Sequence, residues 1–230
     1  MISIIIPAHK EGENLNRLLT SIAAIQDNGN AEVIIAFSPE SDAGILSDLA
    51  GSVRFFHCKQ KGRAAQMNEG AALAKGEILV FLHADVKPPA TFLNDINNAL
   101  QEGYDAGFFS YKFDSDSFWL KINASFTGRD GIFTGGGDQC LFIRSIVFQK
   151  LGGFDKHQLL MEDFEFFKRM KKEHVPYTII KRDLIVSPRK YERNSYLRVN
   201  LSNLLLVVLF NLGYPSNKLK SIHDKLIHSS

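Results

Sequence analysis

Residues 77–85 read Glu-Ile-Leu-Val-Phe-Leu-His-Ala-Asp, and the architecture is worked out from this stretch. Five apolar residues, Ile78 to Leu82, run without a polar break, the pattern of a strand buried on both faces of a parallel sheet. The run stops at His83 and Asp85, and Pro88-Pro89 follow, residues that neither donate to a ladder nor extend a strand. A carboxylate is thereby predicted at the carboxyl end of a central strand, where open α/β sheets collect their ligands. Asp85 then has two readings. It caps a helix expected over Pro89–Leu100, or it holds a metal ion.

Upstream, Ser3–Ile6 is an apolar, β-branched run ended by Pro7, a strand signal. Leu15, Leu18, Leu19, Ile22 and Ala23 recur at helical spacing behind Glu11, Glu13 and Asn14. Acidic residues at a helix start suit the macrodipole, which alone would account for Glu11. Glu32–Phe37 and Val53–His57 read as two further strands, so the chain opens as a βαβ architecture with a parallel sheet. Lys61-Gly62-Arg63 leads into a small-residue helix over Ala64–Ala74. Gly62 supplies the tight turn. Arg63 at the helix entry opposes the dipole, so a phosphate or carboxylate partner, or a solvated surface position, has to explain it.

After Leu100 the pattern predicts a strand over Gly107–Phe113 and a short helix over Phe118–Phe126 that holds the only Trp. Thr134-Gly135-Gly136-Gly137-Asp138-Gln139 then precedes a strand over Cys140–Ile143. Three consecutive glycines are costly to order, so the loop either lets a ligand approach the backbone or is a flexible link. Leu151–Asp155 is a turn, and Glu162–Lys172 a helix with Phe164, Phe167 and Met170 as its expected buried face. Glu162, Asp163 and Glu165 crowd its first turn, which the dipole favours and where a general base could also stand. The tail holds a basic loop, Ser187–Arg193, then an apolar helix around Leu201–Leu212. The uninterrupted core of that helix, Leu204–Phe210, is too short to span a bilayer. It reads as a docking helix for its own domain, for a partner such as a second copy, or for a membrane surface.

Composition sets the outer bounds. The 230 residues are 45 % apolar and 23 % charged, enough for one good core or two small domains. A net charge of +2 gives no field that argues for nucleic acid. Cys58 and Cys140 lack metal-type spacing and read as reduced, buried thiols. Met-Ile-Ser-Ile-Ile-Ile has neither a basic lead nor a cleavage site, so it is expected to be a strand rather than a signal peptide. The expected location is cytoplasmic, with membrane-peripheral contact left open by the apolar helix.

Taken together, the motifs resemble the family-2 glycosyltransferases of GT-A fold, and within them a small single-domain subfamily. The resemblance rests on Gly-Arg-Ala-x-Gln-Met-Asn at Gly62–Asn68, Leu-His-Ala-Asp at Leu82–Asp85, Gly-Asp-Gln at Gly137–Gln139, and Gly-Gly-Phe at Gly152–Phe154 followed by Glu162-Asp163. It runs in order from Ser3 to about Tyr191. It implies a Rossmann-like, mostly parallel sheet flanked by helices, with a glycosyltransferase domain over residues 1–190 and a helical tail over 191–230.

The resemblance also implies roles. Pro7 and Glu11 would border the base and ribose of a nucleotide-diphosphate sugar, and Gly62, Arg63, Asn68, Asp138 and Gln139 would lie about the donor. Asp85, with His83 at the first position of the metal motif, would hold a divalent ion, Mn2+ or Mg2+. Imidazole suits the former better. Asp163 would be the catalytic base and Glu162 its fallback. Arg63 or the Arg189-Lys190 loop, with the metal at Asp85, would neutralise the departing diphosphate. One departure stands out. The second strand of such enzymes ends in an Asp that reads the base, whereas here Phe37 holds that place, followed by Glu40 and Asp42. A phenyl ring can stack on a base but accepts no hydrogen bond from it. The expected activity is an inverting, metal-dependent, hexosyltransferase-type transfer to an unidentified hydroxyl acceptor. The alternatives are a non-catalytic nucleotide-sugar binder and a sugar-phosphate nucleotidyltransferase. The latter needs a Gly- and Arg-rich loop after the first strand, which Pro7–Glu11 is not.

Overall fold

The structure, a computed structural model, describes residues 1–9, 12–25, 31–41 and 53–227. Glu11 and Asp42 therefore lie outside the described residues. The elements run β1 (Ile2–Ala8), α1 (Gly12–Ile25), β2 (Ala31–Phe37), β3 (Val53–His57), α2 (Arg63–Leu73), β4 (Ile78–Phe81), β5 (Val86–Lys87), α3 (Phe92–Gln101) and β6 (Ala106–Phe113). They continue with α4 (Phe118–Ser125), a 3-10 turn (Gly137–Gln139), β7 (Leu141–Arg144), α5 (Ser145–Lys150), α6 (Glu162–Lys172), β8 (Tyr177–Val186), α7 (Arg189–Arg193), α8 (Tyr196–Asn211) and α9 (Ser216–Leu226).

One eight-stranded sheet, ordered β3-β2-β1-β4-β7-β6-β8-β5, collects all the strands described. β1 pairs in parallel with β2 and β4, β2 with β3, and β6 with β8. β7 runs antiparallel to both β4 and β6, and β5 antiparallel to β8. The sheet is therefore mostly parallel, as the apolar runs predict. β4 stands at its middle with every residue buried. Its alternate side chains enter two cores: Ile78 and Val80 join Ile4, Val33 and Phe92 on one face. Leu79 and Phe81 join Ile5, Met67 and Phe166 on the other. Both faces are covered, which is why the sequence shows an unbroken apolar run rather than alternation.

Several boundaries differ from the sequence reading. α3 begins at Phe92 with Thr91 as its cap residue, so Asp85 does not cap that helix. Pro88 and Pro89 separate the short strand β5 from α3. The buried face of α6 is Phe166, Phe167 and Met170 rather than Phe164, which instead packs beside α8 through Phe210, ring centres 6.5 Å apart. Ser187–Arg193 is not simply a loop: Pro188 opens the one-turn helix α7, whose Tyr191 and Glu192 N–H groups donate to the Pro188 carbonyl.

Candidate active site

The site assembles where the exits of β1, β2 and β4 meet the starts of α2 and α6. The Gly62–Asn68 motif does most of the assembling. Gly62 has φ +111°, a conformation that favours glycine, and its carbonyl accepts from Gln66 N to start α2. Gln66 is buried, and its Nε2 donates to the carbonyls of Ala8 (3.0 Å) and Ala36 (2.7 Å), tying together the ends of β1 and β2. Asn68 clamps Phe154 at two points, Nδ2 to the carbonyl (2.7 Å) and Oδ1 from the amide (2.9 Å). Asn68 thus holds the Gly152–Phe154 turn.

Arg63 resolves the puzzle of a cation at a helix entry. Its Nε donates to Glu162, and its Nη2 to Asp163 Oδ2 at 3.2 Å. Its partners are carboxylates, residues a hundred positions away on α6. Glu162 is only 3 % exposed and belongs to this ion pair. Asp163 faces the cleft. Met161, just before them, holds φ 66°, a left-handed conformation that disfavours non-glycine residues by roughly 1–2 kcal/mol. Burial of its side chain with Leu206, Val207 and Leu219 offsets this, so α8 and α9 help to set the aim of α6.

The glycine loop is not a flexible link. The Gln139 side chain is buried beneath it, accepting from Gly135 N (2.8 Å) and donating to the Thr127 carbonyl (2.9 Å). Gln139 therefore braces the loop from below. Gly137 is where the backbone must come closest. A Cβ built there would fall 2.2 Å from His83 Cε1, 2.6 Å from His83 Nε2 and 2.7 Å from Asp163 Oδ2. The loop passes between the imidazole and the carboxylate and turns Asp138 Oδ1 to 3.9 Å from His83 Nδ1.

The electrostatics follow from this crowding. Burial raises the Asp163 carboxyl to about 7, against the pull of Arg63 and with further push from Glu162 and Asp138. Burial, then Arg63, holds the His83 ring well below its usual value, so it is neutral with a lone pair to offer. Asp138 is raised by burial, with Arg63 and Lys190 opposing. Its side chain is 50 % exposed, so solvent screens it more than Asp163, which is 11 % exposed. Burial works against the charge of Arg63, but Glu162 and Asp163 overcome it and keep the guanidinium protonated.

The donor set fits a divalent ion shared with a ligand. His83 and Asp138 stand 3.9 Å apart, within the roughly 3–4 Å that two donors of one ion span. Among the described residues no group of three His, Cys, Asp or Glu forms a complete cage. A hard cation of this kind takes one or two carboxylates and completes its shell with phosphate oxygens. Asp138 as the partner of His83 was not legible in the sequence, because 55 residues separate them. Asp85 lies in the turn after β4, half-buried, and its carbonyl accepts from Ser187 N (3.3 Å). That bond brings the basic segment to the β4 exit. Lys190 Nζ donates to Asn203 of α8 (3.0 Å); burial lowers its affinity for a proton, opposed by Asp138. Arg189 opens α7, its N–H reaching Ser187 Oγ at 3.3 Å.

At the other end, Phe37 departs from its expected role. It is 5 % exposed, stacked on His57 with ring centres 5.7 Å apart and edge-on to Phe55 at 6.4 Å, so its faces belong to the core. Glu40 is paired with Lys61 at the surface. The polar groups at the exits of β1 and β2 are instead His9, Ser38 and Ser41. His9 Nδ1 lies 2.6 Å from Ser38 Oγ, which lies 2.8 Å from Ser41 Oγ. Pro7, half-buried, pairs in register with Ala36 beside them. A groove of about 820 Å³ lies elsewhere, lined by residues of β6, α4 and β8.

A glycosyl transferase family 2 model matches residues 3–175, a span holding β1 through α6 and every group around Gly137. The chain belongs to glycosyl transferase family 2. Solved structures agree on its fold. TarS of S. aureus, residues 1–349, superposes with a TM-score of 0.64 at 16 % identity, over 96 % of this chain and 68 % of that one. The same protein in complex with UDP gives 0.63 at 14 % identity, over 98 % and 70 %. The mannosyltransferase PcManGT from Pyrobaculum calidifontis, in complex with GDP-Man and Mn2+, gives 0.63 at 18 % identity, over 98 % and 69 %. No curated protein sequence matches the chain. The family's fold is the mostly parallel sheet described above, and the chain is a glycosyltransferase.

Proposed function

We propose that the chain transfers a sugar from a nucleoside-diphosphate donor to an acceptor hydroxyl in one inverting displacement, with a divalent ion at the diphosphate. The observation that carries this reading is the placement of Asp163 across Gly137 from His83 and Asp138. A base and an anion-handling centre thereby face each other over a single backbone step. Asp163, raised to about 7, is suited to take the acceptor's proton as the hydroxyl attacks. Glu162 holds Arg63, which in turn orients Asp163. His83, Asp138 and, from the same turn, Asp85 would hold the ion, which when bound supplies positive charge for the leaving diphosphate. Lys190 and Arg189 add cationic charge from the α7 side. At the base end, His9, Ser38 and Ser41 can donate as well as accept where the family's carboxylate would stand. Donors of this class are bound in two of the related proteins, as UDP-GlcNAc and GDP-Man.

The test is a panel of nucleotide sugars, each with and without Mn2+, read by thermal stabilisation and by release of nucleoside diphosphate. At least one donor should raise the melting temperature more with the ion present and should be turned over. Asp163→Asn should keep that stabilisation while release falls about a hundredfold. A donor that stabilises the chain with no turnover under any condition would make it a binding protein instead.

A further inference from the structure

We propose that the outer face of α8, continued by the start of α4, docks on an anionic membrane surface. Leu197, Leu201, Leu204, Leu205, Val208 and Leu212 are all exposed, Leu212 at 72 %. At about 3.6 residues per turn they form one stripe roughly 100° wide along the helix. The opposite face, through Val199, Ser202, Leu206 and Val207, is buried. α8 is therefore apolar on both faces, and only the inner one has a partner among the described residues. At its N-terminal end the stripe continues onto α4, where exposed Trp119 packs on Tyr196 with ring centres 5.6 Å apart. Tyr214, exposed, follows its other end. Leucines flanked by Trp and Tyr suit the boundary between acyl chains and headgroups.

The patch is held rigidly. Asn123 of α4 donates to Asn200 of α8 (2.9 Å) and accepts from Tyr196 (2.7 Å). The inner face of α8 packs on Met161 and Phe164, which flank the Glu162-Asp163 pair. Charge selects the occupant. Residues 191–230, beyond the Arg189-Lys190 pair assigned to the diphosphate, carry five lysines and arginines against Glu192 and Asp224, a net +3, in a chain whose total is +2, so residues 1–190 carry −1. Arg198, the sole charged residue of α8, borders the stripe, and Arg193 precedes it, both exposed. Two copies meeting on this face would bring like charges together. An anionic headgroup layer attracts them, by roughly a factor of five per cation near the surface. No described helix is long and apolar enough to cross a membrane, so the contact is with the surface. The inference does not depend on the transfer reaction.

The experiment is co-sedimentation with vesicles of phosphatidylcholine alone and of phosphatidylcholine mixed with phosphatidylglycerol, alongside sedimentation velocity without lipid. The protein should pellet with the mixed vesicles, weakly or not at all with the neutral ones, and less as salt rises. Leu201→Glu with Leu205→Glu should abolish pelleting, and Arg193→Ser with Arg198→Ser should weaken it roughly 25-fold, both at unchanged melting temperature. A wild-type protein that ignores mixed vesicles overturns the proposal. So does a dimer in solution that the double Glu variant converts to monomer without any lipid binding, since the face would then belong to a second copy.

Discussion

The backbone of Gly137 lies against the imidazole of His83 so closely that a methyl group there would sit 2.2 Å from Cε1. Gly137 is not among the glycines with positive φ, so the requirement is one of space, not of backbone conformation. Gly137→Ala should therefore fold, yet push His83 and Asp163 apart. A displacement near 1 Å in a catalytic constellation lowers turnover about a hundredfold. Steady-state kinetics with a competent donor and a melting curve check this. Normal turnover in a folded Ala variant would show that the close approach is irrelevant to catalysis.

Asp163 makes a prediction with a definite sign. Its carboxyl is raised from 3.8 to about 7 by burial, so between those values the folded chain binds more protons than the unfolded one. Stability in metal-free buffer should then fall as pH rises through that window, and Asp163→Asn should flatten the slope. Turnover needs the ionised base, so it should climb with pH on a limb centred near 7. An acid limb centred well below 6 would speak against Asp163 as the group being titrated.

The Arg63–Glu162 pair is a coupling that a double-mutant cycle can read. Arg63→Met leaves two crowded carboxylates without their cation. Because Arg63 is 40 % exposed, the usual loss for a broken buried pair is reduced to about 2 kcal/mol. Glu162→Gln in the same background should recover much of it. Strictly additive losses in urea unfolding would mean that the two side chains do not interact in solution.

Asn68 distinguishes a scaffold residue from a donor contact. Asn68→Ala removes both bonds to Phe154 and should cost about 2 kcal/mol of stability. The donor concentration for half-maximal rate should stay unchanged in the folded enzyme. Should stability hold while donor affinity collapses, Asn68 touches the donor after all.

Much of this chain could be read locally. The apolar run at Ile78–Leu82, the β-branched start at Ser3–Ile6 and the acidic opening of Glu162–Lys172 each state their element in a few neighbouring residues, because burial on both faces and a helix dipole act over that range. β8 escaped for an equally local reason. Lys181-Arg182-Asp183 interrupts its apolar pattern, and the structure accommodates them in a register shift between Phe109/Ile180 and Tyr111/Leu184. α9 escaped because its lysines dominate its sequence, while Leu219 alone is fully buried.

What tertiary structure alone decided is which polar group meets which. The family resemblance implied Arg63, Asn68 and Gln139 about a donor; which protein groups they bind, Asn68 to Phe154, Gln139 to its own loop and Arg63 to two carboxylates a hundred residues away, came only from folding. Phe37 ended a strand in the right place, and only the packing of Phe55 and His57 showed that its ring was enclosed. Hydrophobic periodicity is a one-dimensional signal, since every apolar side chain seeks the same interior. A hydrogen bond or ion pair requires two specific atoms at a specific distance, and nothing along the sequence fixes that distance until the sheet has brought the ends of β1, β2 and β4 to the starts of α2 and α6.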